Sequence, residues 1–185
     1  MQAQPTQSYD AVAKSLHWLM VVVFAALFVL GFVMTEMPKG PERYALYDVH
    51  EILGMLALVL AAARLAWRFM HSPPAPIGSE ESWLVMGAKV AHVTLYALMF
   101  AVPIVGWLML SAAGHQVELG VVTIPAPIGK NEALKEILSE VHELLAFGFL
   151  GLIAVHMAAA LKHHFVDRDL TLVRILPQRT AHSVH

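Results

Sequence analysis

The chain has 185 residues, 58% of them hydrophobic and 14% charged, against roughly 25% charged in a soluble domain. That balance, with long runs nearly free of charge, points to an integral membrane protein. The absence of cysteine excludes disulfides, iron–sulfur clusters, a thiolate nucleophile and covalent cofactor attachment through C-x-x-C-H, and the net charge of -2 says little about partners by itself.

Met1–Tyr9 is a polar lead. The apolar run after it is too long for a secretory signal and lacks a small-residue cleavage site, so it is expected to stay as an anchor. The first span, Leu16–Thr35, opens with His17-Trp18, and Pro38-Lys39-Gly40-Pro41 makes a turn. The second runs from about Tyr47 to Phe69, with His50 near its start and Arg64 and Arg68 near its end. Ser72-Pro73-Pro74-Ala75-Pro76 breaks it into an extended linker. The third span, Trp83–Ala112, contains His92, a kink expected at Pro103, and Gly106. Gly114–Lys130 is a longer connection, and Asn131–Glu140 reads as helix leading into the fourth span, Val141–Phe165. Asp169–Leu176 reads as a short amphipathic piece lying along the interface. The expected architecture is all-α: one integral membrane domain, a four-helix bundle with spans at approximately 14–35, 48–70, 84–112 and 140–165.

Four spans put both termini on one side. With the N-terminus inside, inner segments hold Lys14, Arg64, Arg68, Lys89, Lys162, Arg168, Arg174 and Arg179. The outer ones hold Lys39, Arg43, Lys130 and Lys135. The positive-inside rule therefore places both termini in the cytoplasm.

Eleven histidines are many for such a chain, because each ionisable group at depth is costly. His142 and His156 lie fourteen residues apart on the fourth span, about 21 Å along a helix and on nearly one face. Under the assigned topology His17 shares the inner depth of His156, and His50 the outer depth of His142. Each pair, His17/His156 and His50/His142, is suited to hold one six-coordinate haem iron for electron transfer. The competing reading is interfacial decoration at helix ends, which suits one such histidine better than four that pair by depth. The same ruler puts Gly31 fourteen residues after His17, where glycine leaves room for a flat porphyrin. It puts Arg64 fourteen after His50, where a guanidinium suits haem propionates. Gly106 lies fourteen after His92. Close helix packing is the alternative for both glycines.

The ordered set of motifs resembles the bacterial cytochrome b561 family over nearly the whole chain. It comprises S-x-H-W-L at Ser15–Leu19, His50 with Arg64, Pro-Pro after the second span, and H-x-x-x-Y at His92–Tyr96 with P-x-x-G at Pro103–Gly106. It continues with H-E-x-L and H-x-A-A-A-L-x-H-H across His142–His164, and T-L-x-R-x-x-P at Thr171–Pro177. The resemblance implies a bundle with two haem b groups ligated by His17, His50, His142 and His156, in the bacterial inner membrane. It also implies exchange with the quinone pool, with superoxide oxidation and ubiquinone reduction as an associated activity. An electron-transfer subunit or membrane anchor of a dehydrogenase or hydrogenase is the alternative it leaves open.

No Gly-rich nucleotide fingerprint is present and no soluble domain is large enough for a flavin. Electrons must arrive on a small diffusible donor, a partner subunit or a quinol. For a quinone, the candidate catalytic residue is His163, seven residues past His156 and about 10 Å further inward. Its imidazole suits hydrogen bonding and proton transfer to a quinone oxygen; a helix-terminal histidine among lipid headgroups is the bland reading, and the better one for His164. The inner cations form a field that attracts an anion such as superoxide, although lipid phosphate and topology explain most of them. His92 reads as a hydrogen-bonded bundle histidine beside the inner site. Trp18 reads as part of the aromatic belt, and His71, His115, His182 and His185 as loop and tail residues. No feature points to nucleic acid.

Overall fold

In a computed structural model, which describes residues 8–72, 74, 82–120 and 122–177, the chain forms four long helices and one small hairpin. Asp10 starts α1 (Ala11–Glu36) by accepting the Ala13 amide at 2.9 Å, which satisfies one of the free N–H groups of the first turn. Pro41 sits at the start of α2 (Pro41–Met70), where its missing N–H costs nothing. Asn131 caps α4 (Glu132–Phe165) through the Leu134 amide at 3.1 Å, and α3 (Ser82–Ala112) continues through Pro103. Helix α2 begins well before the expected span at 48, whereas α4 begins at Glu132, in the stretch expected as helix leading into the fourth span. Hydropathy marks where lipid begins, whereas a helix runs on until a cap stops it.

All four helices are long and apolar enough to cross a membrane. Large apolar side chains such as Val22, Val29, Val59, Leu144 and Val155 face outward, as lipid contact requires. The helices pack in sequence, α1 on α2, α2 on α3 and α3 on α4. Between α1 and α4 the contact is made by rings: Phe24 meets Phe149 edge-on at 4.9 Å, and Phe28 meets it at 6.0 Å. The buried cluster is Met20, Val23, Phe24, Ala57, Leu60, Ala61, Met99 and Phe149. Ala57 and Ala61 are fully buried, small residues one turn apart that let a neighbouring element approach closely.

The 114–130 connection contains a hairpin not expected from the sequence. Strand β1 (Val117–Leu119) pairs antiparallel with β2 (Val122–Ile124), Val117 opposite Ile124. Gly120 has φ +73°, a value that favours glycine. Buried Val117 belongs to the strand that rests on α2. Ser111 Oγ ties the connection to α3, donating to the Ile128 carbonyl at 2.6 Å and accepting its amide at 3.0 Å.

After α4 the chain folds back on α1. The Tyr9 amide and Ser8 hydroxyl donate to the Arg174 carbonyl at 3.2 and 2.9 Å, and Trp18 Nε1 donates to that of Ile175 at 2.9 Å. The expected amphipathic piece is therefore a run of turns clasped to the start of α1. Met1–Gln7, most of the linker after Ser72, and Arg179, His182 and His185 lie outside the described residues.

Candidate functional site

The residue seven positions past each of four histidines belongs to the buried cluster: Phe24 after His17, Ala57 after His50, Met99 after His92 and Phe149 after His142, the last also seven before His156. Seven residues are about 10.5 Å of helix, two turns on the same face. A closed apolar layer thus crosses the bundle at mid-depth, with one histidine level on either side.

At one level, the outer one under the expected topology, the rings of His50 and His142 meet edge-on across the bundle, centres 6.4 Å apart and planes at 77°. Two imidazoles holding one metal ion at about 2.0 Å have ring centres roughly 6.3 Å apart. His142 Nδ1 lies 3.0 Å from the Val102 carbonyl. A carbonyl only accepts, so Nδ1 carries the proton and Nε2 keeps the lone pair that a metal needs. His50 Nδ1 is buried near the Leu27 backbone, without a hydrogen bond of full geometry. A Cβ on Gly106 would stand 3.0 Å from His142 Cε1 and 3.2 Å from Nδ1. Gly106 therefore clears the imidazole itself. A Cβ on Gly31 would reach His50 Cε1 only at 3.9 Å, an ordinary contact, so the histidine does not by itself require glycine there. Trp107, next to Gly106, also buries an indole N–H without a partner. The donor set, its spacing and this cradle fit a six-coordinate haem.

At the inner level His17, Arg64, His92 and His156 are close enough to interact electrostatically. His92 meets His156 edge-on at 5.4 Å, while its Nδ1 donates to the Ala88 carbonyl at 2.7 Å. It is both hydrogen-bonded within its helix and a member of this cluster. Arg64 Nη1 donates to the Ala13 carbonyl at 3.2 Å. Trp18 packs edge-on against His17 at 5.5 Å.

Cavities open at both ends. The inner one, about 520 Å³, is lined by Arg64, Arg68, Trp67, His71 and Tyr96 among others. Arg68 lies over the Tyr96 ring, and His71 stacks on Trp67. The outer one, about 410 Å³, is lined by Asp48, Glu51, His115 and Glu118. The inner positive field is narrower than the sequence suggested. Lys14 is buried, and Lys162 is neutralised by Asp167 at 2.7 Å.

His163 lines neither cavity. Its half-buried ring is held at Nδ1 by Asp169 Oδ2 at 2.7 Å, with Asp167 Oδ2 at 3.4 Å. The Asp169 carboxyl is pushed up by burial, but hydrogen bonds from Thr171 and His163 outweigh that and hold it below the usual range. His164 packs on Phe165 at 4.8 Å. Sequence reasoning missed Asp169. The only signal was a pair of acids just past the His-His end of α4, and spacing alone does not say which of them turns back.

The family model for prokaryotic cytochrome b561 matches residues 8–178. "Cytochrome b561 homolog 2" of Escherichia coli (strain K12) is 30% identical over 178 residues, 92% of each chain. "Cytochrome b561 homolog 1" of the same organism is 28% identical over 165 residues, 89% of this chain and 94% of that protein. "Probable superoxide oxidase CybB" of Yersinia pestis is 28% identical over 179 residues, 94% of this chain and 98% of that one.

Proposed function

Since the chain belongs to the prokaryotic cytochrome b561 family, a group of haem b-binding, multi-pass membrane electron-transfer proteins, we propose that it carries two haems and passes electrons to ubiquinone. His50 and His142 hold the outer haem, and His17 and His156 the inner one. Bound there, the haems supply one-electron transfer with no open iron position. The observation that carries this reading is the facing His50 and His142 pair at 6.4 Å, with a second histidine cluster one apolar layer away.

The residues divide the remaining work. Val102 fixes the His142 tautomer, Gly106 seats its ring, and Arg64 at the inner level balances propionate charge. Phe24, Phe149 and Met99 keep water out of the space between levels. His163 donates a proton to a quinone oxygen at the inner end. Both termini face the cytoplasm, following the charge bias of the loops.

Superoxide is the proposed donor, and a relative's name as a probable superoxide oxidase supports it. Two superoxide ions give up one electron each and leave as dioxygen; one quinone takes both electrons and two protons and leaves as quinol. The carboxylates lining the outer cavity repel an anion, whereas Arg64 and Arg68 at the inner cavity attract one. The inner mouth is thus the entry proposed for superoxide.

The test is a reduced-minus-oxidised spectrum with haem quantitation on the purified protein, followed by ubiquinone-1 reduction with enzymatically generated superoxide. Two b haems per chain and superoxide-dependent quinol formation are expected. A colourless preparation would sink the haem reading; a haem-loaded protein inert to superoxide would sink the donor alone.

A further inference from the structure

We propose that Asp169 is the positioning residue for His163: it fixes the imidazole with its proton on Nδ1, so that only Nε2 is offered to a quinone. The inference rests on His163 serving the quinone.

The geometry is local and tight. Asp169 Oδ2 sits 2.7 Å from His163 Nδ1, while Oδ1 accepts the Thr171 amide at 2.7 Å. The carboxylate is thereby oriented by the backbone and cannot swing away without losing that bond. The Asp169 amide in turn donates to the His163 carbonyl at 3.0 Å, closing the turn on both sides. The segment that follows is pinned by Trp18 of α1 and by Ser8 just before that helix. Asp169 is thus held from its own turn and from the other end of the chain, as a supporting group must be if it is to hold another.

Its chemical effect follows from what a carboxylate accepts. An ionised acid bonded to Nδ1 requires a proton there and favours the tautomer whose Nε2 bears a lone pair. When Nε2 takes a proton from water, Nδ1–H stays on the Asp169 carboxylate, and Nε2–H then donates to the nearer quinone oxygen. Quinol formation consumes two electrons and two protons. His163 delivers one proton from Nε2 and recovers it from solvent, and water supplies the other; the electrons come from the superoxide donor. No bond to His163 or Asp169 is made other than to hydrogen.

Asp167 does not compete for the role. It stands farther from Nδ1, at 3.4 Å, and is engaged by the Lys162 ammonium at 2.7 and 2.8 Å. The same ammonium argues against a cation bound by His163, Asp167 and Asp169, although their ligand atoms lie within 4.8 Å of one another. Any metal ion would have to displace Lys162 first.

The experiment uses full-length protein in lipid nanodiscs, labelled with ¹⁵N-histidine. Asp169→Asn keeps the shape and an acceptor for Thr171, and Asp169→Glu restores the charge; His163→Gln assigns the signal. Wild type should show His163 protonated at Nδ1, and Asp169→Asn should shift the population toward Nε2–H with haem spectra unchanged. Reoxidation of chemically pre-reduced protein by ubiquinone-1 should then slow about tenfold or more, within the range of a general acid's contribution. Its KM should be nearly constant, and Asp169→Glu should recover part of the rate. An unaltered tautomer, or an unaltered rate in Asp169→Asn while His163→Gln is slow, would overturn the role of Asp169 alone. If His163→Gln itself reoxidises at the wild-type rate, the quinone role of His163 fails and this inference with it. Slowing that added divalent metal reverses, or that a chelator produces in the wild-type protein, would replace it with the metal reading.

Discussion

Gly106→Ala separates two effects of opposite sign. In a helix interior alanine is favoured over glycine by about 1 kcal/mol, so with open space beside it the variant would be the more stable protein. The space is not open. The new Cβ would meet His142 Cε1 at 3.0 Å and Nδ1 at 3.2 Å, so the ring must retreat by a few tenths of an ångström. A ligand bond tolerates roughly 0.2 Å, and the ring is also tied to Val102 at 3.0 Å on the same helix as the intruding methyl. Crowding of this kind costs about 1–3 kcal/mol, enough to cancel or reverse the propensity gain. The expected result is a folded protein, helical by circular dichroism, with the outer haem weakened or lost. Pyridine haemochrome content should fall from two toward one per chain. Gly148→Ala and Gly151→Ala, whose Cβ atoms would meet nothing within 4 Å, should keep full haem. A Gly106→Ala protein with both haems and an unshifted spectrum would refute the reasoning, and with it the geometric account of His142.

Other outcomes follow from the same structure. His142→Ala should lose the outer haem and leave the inner spectrum intact, whereas His17→Ala should do the reverse; loss of both haems in each variant would contradict two separate levels. Phe149→Ala opens a hole in a residue only 2% exposed. About 100 Å³ of lost side chain at roughly 24 cal/mol per Å³ gives about 2.4 kcal/mol, and the broken edge contact adds about 0.5–1.5 kcal/mol. A thermal or detergent unfolding shift worth less than about 1 kcal/mol would mean that the mid-depth layer is not close-packed. Asp10 has its carboxyl held below the ordinary 3.8 chiefly by the Ala13 amide. Its capping contribution is therefore complete above that value and lost as pH falls through the lower folded one. The protection factor of the Ala13 amide, with the intrinsic pH dependence of exchange divided out, should fall only in that acid range, and a factor constant down to pH 2 would count against the cap.

Much of this was legible without coordinates because it is local. Four apolar runs of bilayer length, the helical lead at 131–140 and the fourteen-residue spacing of histidines each depend on a few neighbouring residues and on helix geometry. Depth along a membrane helix is nearly a count of residues, so histidines at one level can be grouped from sequence. The start of α2 was less legible, since that helix continues past the apolar stretch to Pro41. The hairpin at 117–124 was missed because its strands have three residues each, too few for an alternating pattern to stand out.

What the tertiary structure decided is how the helices are turned about their axes and what each approaches. A count of residues gives the height of Gly106 but not its neighbour, and only the packing of α3 on α4 shows that it faces the His142 ring. The Val102 carbonyl that orients this ring is a backbone atom with no sequence signature. Asp169 reaches His163 because the chain reverses after α4, with Arg168 at φ +54°, and Trp18 proves to be the tie for that reversal rather than only a belt residue. Residue order sets heights along the bilayer normal; azimuth and chain reversal depend on which surfaces bury together, a property of the whole bundle rather than of any one segment.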